Sequence, residues 1–216
     1  MASVVSIQAG RIAPLGPDGV RSAFVKRPIS GTARAGTLGI QGDEQADLRV
    51  HGGPDKAIYF YASEHYRLWA NDVPEHTQLL VPGAFGENVT TAGLDEGNVA
   101  IGDVLAIGSA ELQVTEPRQP CFKLGLRFAD NSLGRIMMQT NRTGWYVRVL
   151  RPGELTAGDE IRAIRRPSPQ WTIARFNDFI VHRSATVEEM QELSTLEGLP
   201  GRWREKIRKA LLEGAG

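Results

Sequence analysis

The 216-residue sequence predicts a mainly β protein with some helix: a β-rich, barrel-like domain over residues 1–166, then a small three-helix unit over residues 167–216. Three observations predict it. Short runs of β-branched and apolar residues recur between glycines and prolines through the first three quarters of the chain. Two of these runs, VAIGDVLAIG (99–108) and LTAGDEIRAI (155–164), set the same Gly-Asp pair between apolar residues, which is the chemistry of a chain reversal between strands. After RRPSPQW (165–171) the apolar period becomes that of amphipathic helices.

The elements follow in order. VVSIQAGRI and VRSAFVKRPI read as strands, and TLGIQGD as a short strand ending in a glycine turn. KAIYFY (56–61) is a concentrated strand. SEHYRLWAN then reads as a helix opening at Ser63 as N-cap, with Tyr66 and Trp69 on one side. RIMMQTN is a short helix and GWYVRVL a strand, and the two Gly-Asp segments form repeated corners of the barrel-like unit. Beyond the boundary, Ile173, Phe176 and Ile180 form one stripe, Val187, Met190 and Leu193 a second, and Trp203, Ile207 and Leu211 a third. Thr186 with Glu189 makes a capping box, and Pro200 separates the second of these helices from the third. Helices this short are marginal alone in water, so they must pack on one another or on the barrel. No ligand-like cluster falls in them, which leaves scaffolding, a lid or an oligomer contact as their role.

Composition narrows the function classes. Hydrophobic residues at 41% and charged ones at 23% describe a packed soluble protein. Lys plus Arg equals Asp plus Glu at 25 each, so no overall field favours nucleic acid or an anionic membrane. The single cysteine rules out an internal disulfide, and with no charged-then-apolar leader a reducing, cytoplasmic setting is expected. No apolar run reaches membrane-spanning length. An iron–sulfur cluster needs about four ligands, mostly thiolates, which one cysteine cannot supply. His51, His65, His76 and His182 show no H-E-x-x-H spacing for a zinc hydrolase.

Chemistry concentrates in three polar, glycine-rich islands. In GDEQADLRVHGGPDKA (42–57), Gly42, Gly52 and Gly53 permit close backbone approach. Arg49, His51 and Lys56 beside them make either an anion site or a solvated surface loop. In FGENVTT (85–91), Asn88 either hydrogen-bonds a heterocycle edge or completes a turn. In TEPRQPCFKL (115–124), Pro117 and Pro120 hold an extended segment that presents Cys121, and a helix is expected to begin at Phe122. Helix-start N–H groups with Arg118 and Lys123 would lower the thiol pKa; the alternative is an inert buried thiol.

Taken together and in this order, GDEQADLRVHGGPDKA, FGENVTTAGL and PRQPCFKL resemble the MOSC domain family, the molybdenum-cofactor sulfurase C-terminal type of domain. The helical tail makes the chain similar to the YiiM-like subgroup. The resemblance covers essentially the whole chain and implies a β-barrel-like fold. It also implies a molybdenum–molybdopterin cofactor with Cys121 as the protein ligand to the metal. Arg118, Lys56, His51, Gly52 and Gly53 would line the pterin and its phosphate, with Asn88 and Thr115 as polar neighbours. The family carries a pyridoxal phosphate association as well. A thiolate suits a sulfur-rich molybdenum sphere, and a phosphate-ended pterin suits cations and N–H donors.

The activity so implied is reduction of N-hydroxylated compounds, such as hydroxylaminopurines or amidoximes, to amines or amidines. With too few ligands for a cluster, the chain would draw electrons from a separate donor protein or small reductant. Two other readings are a metal-free thiol or persulfide sulfur-transfer protein using Cys121 as nucleophile, and a molybdopterin carrier without turnover. Phe85, Phe122, Trp145 and Tyr146 are candidate wall residues. The apolar stripes of the tail are also consistent with a homodimer.

Overall fold

The computed structural model describes residues 1–49 and 51–213. Its first strands are β1 (Ser3–Ala9), β2 (Ala13–Leu15), β3 (Val20–Ser22), β4 (Arg27–Pro28), β5 (Thr32–Gly36) and β6 (Gly39–Ile40). A 3-10 turn (Pro54–Lys56) leads to β7 (Ile58–Ala62) and helix α1 (Glu64–Asp72). Strands β8 (Val89–Ala92), β9 (Val104–Ile107) and β10 (Ala110–Pro117) precede helices α2 (Phe122–Phe128) and α3 (Leu133–Gln139). Strands β11 (Trp145–Arg151), β12 (Gly153–Thr156) and β13 (Ile161–Arg165) complete the β-rich part. Helices α4 (Ile173–His182), α5 (Val187–Leu193) and α6 (Gly201–Glu213) form the tail.

Eight strands make the main sheet in the order β13-β9-β10-β11-β7-β8-β1-β4. Neighbours are antiparallel except β7 and β8, whose parallel pairing needs the crossover that α1 supplies. The sheet curls without closing into a continuous barrel. Strand β1, next to one end, is tied to the β13 end by an isolated bridge between Ser3 and Glu160, with Ile161 N–H donating to the Ala2 carbonyl at 2.9 Å.

Strand β7 shows why KAIYFY is so apolar. All five of its residues are buried, and alternate side chains enter different cores. Ile58 and Phe60 join a large core with Val114, Trp145 and Val147, whereas Tyr59 and Tyr61 join a second with Phe24, Phe85 and Phe128. The first core runs on into the tail, taking in Trp171, Phe176, Leu193, Trp203 and Ile207. The helices therefore pack on the sheet as well as on one another. Val187, expected on a buried stripe, stands exposed at the start of α5.

The repeated Gly-Asp corners use one device twice. Asp103 accepts from Ala100 N–H at 2.9 Å and Asp159 from Thr156 N–H at 2.8 Å, each bond reaching back three residues. The preceding glycines sit at φ 88° (Gly102) and 97° (Gly158), which a side chain would strain. The Thr186–Glu189 capping box is complete, with bonds of 3.2 and 2.8 Å. Ser63 does occupy the N-cap of α1, yet its hydroxyl donates to Glu64 rather than capping. The expected strand VRSAFVKRPI is broken into β3 and β4, because Ser22 Oγ accepts from Phe24 N–H at 3.1 Å and turns the chain there. Among the described residues no helix is long and apolar enough to cross a membrane.

Candidate active site

Strand β10 delivers the thiol. At its end Pro117 and Pro120 keep the chain extended, and Cys121 sits at φ −121°, ψ 166°, one residue before α2 begins at Phe122 as expected. Arg118 N–H donates to the Gly144 carbonyl at 3.2 Å, which anchors the segment to the loop before β11.

Cys121 lies at the junction of two spaces. An inner recess of about 90 Å³ is lined by Phe24, Lys26, Asp43, Lys56, Tyr59, Arg118 and Lys123 among others. An outer cleft of about 620 Å³ is lined by Gly53, Glu116, Phe122 and Arg202 among others. His51, Gly52, Lys56, Cys121 and Tyr146 face both. The backbone turns past the sulfur through Gly52 and Gly53, both at positive φ (74° and 83°), where a side chain would strain the loop.

The recess is a cation-rich pocket. Lys26, Lys56, Arg118 and Lys123 line it against only Asp43 and Glu44. Asp43 is already held by Lys26 and by Gly10 N–H, and Glu44 by Arg11 and Ile12 N–H. Arg118 is buried and has no carboxylate partner among the described residues. Its guanidinium lies 5.3 Å from the Tyr59 ring centroid and 5.6 Å from that of Phe24, with one N–H on the Met137 sulfur at 3.7 Å. Burial works against its charge, and the Tyr59 and Tyr146 oxygens with the Cys121 sulfur more than offset that. Burial also pushes Lys56 down, with Glu116 opposing and Arg202 and Arg118 adding to the fall. Lys123 is buried, and its side chain makes no hydrogen bond or ion pair among the described residues.

These charges act on the thiol. Burial pushes Cys121 up, but a hydrogen bond with His51, the Arg118 charge and the Lys123 backbone N–H outweigh it and bring the thiol down to about 7. An inert core cysteine would show the burial effect alone.

Of the sequence-predicted site residues, Cys121, Arg118, Lys56, His51 and Gly52 converge on the recess, and Gly53 on the outer cleft. Asn88 reaches the recess wall with its amide already bonded: Oδ1 accepts from Tyr59 N–H at 3.2 Å and Nδ2 donates to the Gln8 carbonyl at 3.3 Å. Its side chain stitches strands together across the chain instead of completing a local turn. Thr115 lines neither space. Its buried hydroxyl bonds the carbonyls of Asp55 at 2.7 Å and Tyr146 at 3.0 Å, pinning the 3-10 turn that carries Lys56. Among the candidate wall residues, Phe85 and Trp145 are fully buried in the cores, Tyr146 faces both spaces, and Phe122 is exposed at the outer cleft.

Sequence reading missed two contributors. Glu87 of FGEN is a buried organiser that accepts from Tyr66 OH, Gly83 N–H (2.6 Å), Phe85 N–H (3.1 Å) and Thr90 OH (3.0 Å). Arg202 reaches the outer cleft from α6, where no motif marks it. Buried Glu116 on β10 accepts from both Arg202 and Trp203 Nε1, the latter at 2.6 Å.

The MOSC domain model matches residues 47–162, the span that carries every recess and cleft residue noted above except Phe24, Lys26, Asp43, Glu44 and Arg202. The chain belongs to the MOSC domain family. A second model, the YiiM-like 3-alpha helix domain, matches residues 171–214, so the MOSC unit and its tail are recognised separately. Protein YiiM of Escherichia coli K12 is 36% identical over 97% of this chain and 93% of its own. The crystal structure of YiiM from Geobacillus stearothermophilus superposes with a TM-score of 0.81 at 31% identity, covering 98% of this chain and 100% of that one. A Gibberella moniliformis protein named Reductase is 35% identical over 89% of this chain, which matches 35% of that protein's length.

Proposed function

We propose that this MOSC protein is a molybdenum-cofactor-dependent oxidoreductase that reduces N-hydroxylated compounds, of the hydroxylaminopurine or amidoxime type. The observation that carries the reading is Cys121: a thiol lowered to about 7, beside a buried arginine with no carboxylate partner among the described residues. Such a sulfur is a soft, anionic metal donor, and the cations that line the recess beside it fit a phosphate-ended pterin. Cys121 would ligate the metal, and Arg118, Lys123, Lys56 and His51 would hold the anionic cofactor. When bound, the cofactor supplies two-electron abstraction of the N–O oxygen.

The overall change is balanced as R–NH–OH plus two electrons and two protons giving R–NH₂ plus water. Lys56 and His51 are titratable groups that line both spaces with the sulfur, and they would pass those protons. With a single cysteine the electrons come from outside the chain. The fungal relative supports this, since its name is Reductase and the matched region is about a third of it. A separate electron-donor protein and a cytoplasmic homodimer complete the proposal.

The test is metal content and turnover together. Protein made in a host able to synthesise molybdopterin should carry molybdenum near one per chain, lost in Cys121→Ser, and should reduce 6-hydroxylaminopurine with a reduced viologen. The lowered thiol equally favours a second reading, metal-free sulfur transfer. Fully active metal-free protein would replace the first reading with that one, and molybdenum without turnover would leave a carrier.

A further inference from the structure

The outer cleft is completed from the far end of the chain. Arg202, in the first turn of α6, lines it together with Cys121, Phe122, Tyr146 and Lys56. One guanidinium nitrogen is fixed on Glu116, whose side chain is 1% exposed, while the Arg202 side chain is 51% exposed. The carboxylate thus orients the planar fork and leaves other donors open to the cleft. Beside Cys121, the Phe122 ring is 65% exposed, although the neighbouring Leu124 and Phe128 of the same helix are buried. An exposed ring and an oriented guanidinium that line one cleft with a thiol suit a planar base joined to a phosphate.

We infer that the cleft takes its N-hydroxylated base as a nucleoside monophosphate, with the base along Phe122 and the phosphate on Arg202, so that the three-helix unit sets substrate class. This rests on the proposed reductase reading for what is done to the base, and on the cleft alone for what is bound.

The test is calorimetric binding of AMP, adenosine and inorganic phosphate to the full chain as purified. AMP should bind about tenfold or more tighter than adenosine, the size expected of one charge-assisted contact. Arg202→Gln should bring AMP to the adenosine level without changing adenosine. Phe122→Ala should weaken AMP and adenosine alike. Because Arg202→Gln also removes a partner of Glu116, Glu116→Gln serves as the second variant: it loosens the same contact yet keeps the guanidinium, and should retain the AMP preference. Equal binding of AMP and adenosine overturns the inference, as does Arg202→Gln weakening both equally. Inorganic phosphate binding as tightly as AMP overturns the role of the base. Turnover separates this inference from the reading beneath it. An Arg202-dependent AMP preference in a protein that reduces nothing sinks only the reductase proposal; equal kcat/KM for N-hydroxylated base and nucleotide sinks only this one.

Discussion

Alkylation of Cys121 in protein made without molybdopterin tests the electrostatics of the site directly. The thiol sits at about 7 instead of its ordinary 9.0. At pH 7 about half of it is ionised, against roughly one part in a hundred for the unperturbed group, a gain of about fiftyfold in thiolate. Lower basicity makes each thiolate less nucleophilic, by roughly eightfold for two pH units at a Brønsted slope of about 0.45. The net expectation is an iodoacetamide rate at pH 7 about sixfold above that of a free cysteine, with the pH–rate midpoint near 7. Burial opposes the shift, so removing the groups that outweigh it should carry the midpoint up: His51→Ala and Arg118→Met each raise it, and together they bring it to 9 or above. The same depression links to stability. The folded state favours the thiolate, so this stabilisation is full above the unfolded thiol's pKa and is lost as pH falls through about 7. A midpoint at 8.5 or higher in the unsubstituted protein, or one that neither substitution moves, would refute the reasoning.

Three further outcomes are expected. Glu87→Gln replaces a buried acceptor of four bonds with an amide that confronts some of its donors, and should lower stability by about 2–4 kcal/mol, read as a denaturation midpoint shift at unchanged m-value. Gly102→Ala should cost about 2 kcal/mol or more, since φ is 88° and a Cβ there would stand 2.6 Å from the Glu197 carbonyl oxygen; the thermal midpoint measures it. Trp203→Phe keeps the ring in the core but loses the 2.6 Å bond to Glu116, with an expected loss of about 1–2 kcal/mol in urea unfolding.

What the sequence made legible is what local chemistry determines. The Gly-Asp corners and the capping box rest on bonds spanning three residues, and the apolar run of β7 reports burial on both faces. Cys121 was legible because its prolines constrain φ regardless of the rest of the chain. Thr115 and Asn88 were not, because their side chains bond partners 29 to 80 residues away, which no local pattern encodes. Residues 23–25 were legible as apolar but not as a break in a strand. There Phe24 faces the Arg118 guanidinium instead of a paired neighbour.

The position of Glu116 explains how a helical tail without ligand-type residues bears on the site. It is the residue before Pro117, so the chain between it and Cys121 contains both prolines and has few soft torsions left. Arg202 and Trp203 of α6 both bond to its carboxylate, while Trp203 and Ile207 sit in the core that α6 shares with the sheet. The helix is therefore fixed to the sheet by apolar burial and to the thiol segment by a buried carboxylate. Arg148 adds a third tie, bonding Asp55, Gln113 and the Gly198 carbonyl at about 3 Å, and so joins the turn that carries Lys56 to the loop before α6. A shift of α6 relative to the sheet would thus be felt at Cys121 and Lys56 together. Packing the helices beside the sheet would have satisfied the apolar core alone; the buried tie at Glu116 and the part-buried one at Arg148 specify one arrangement of tail and cleft.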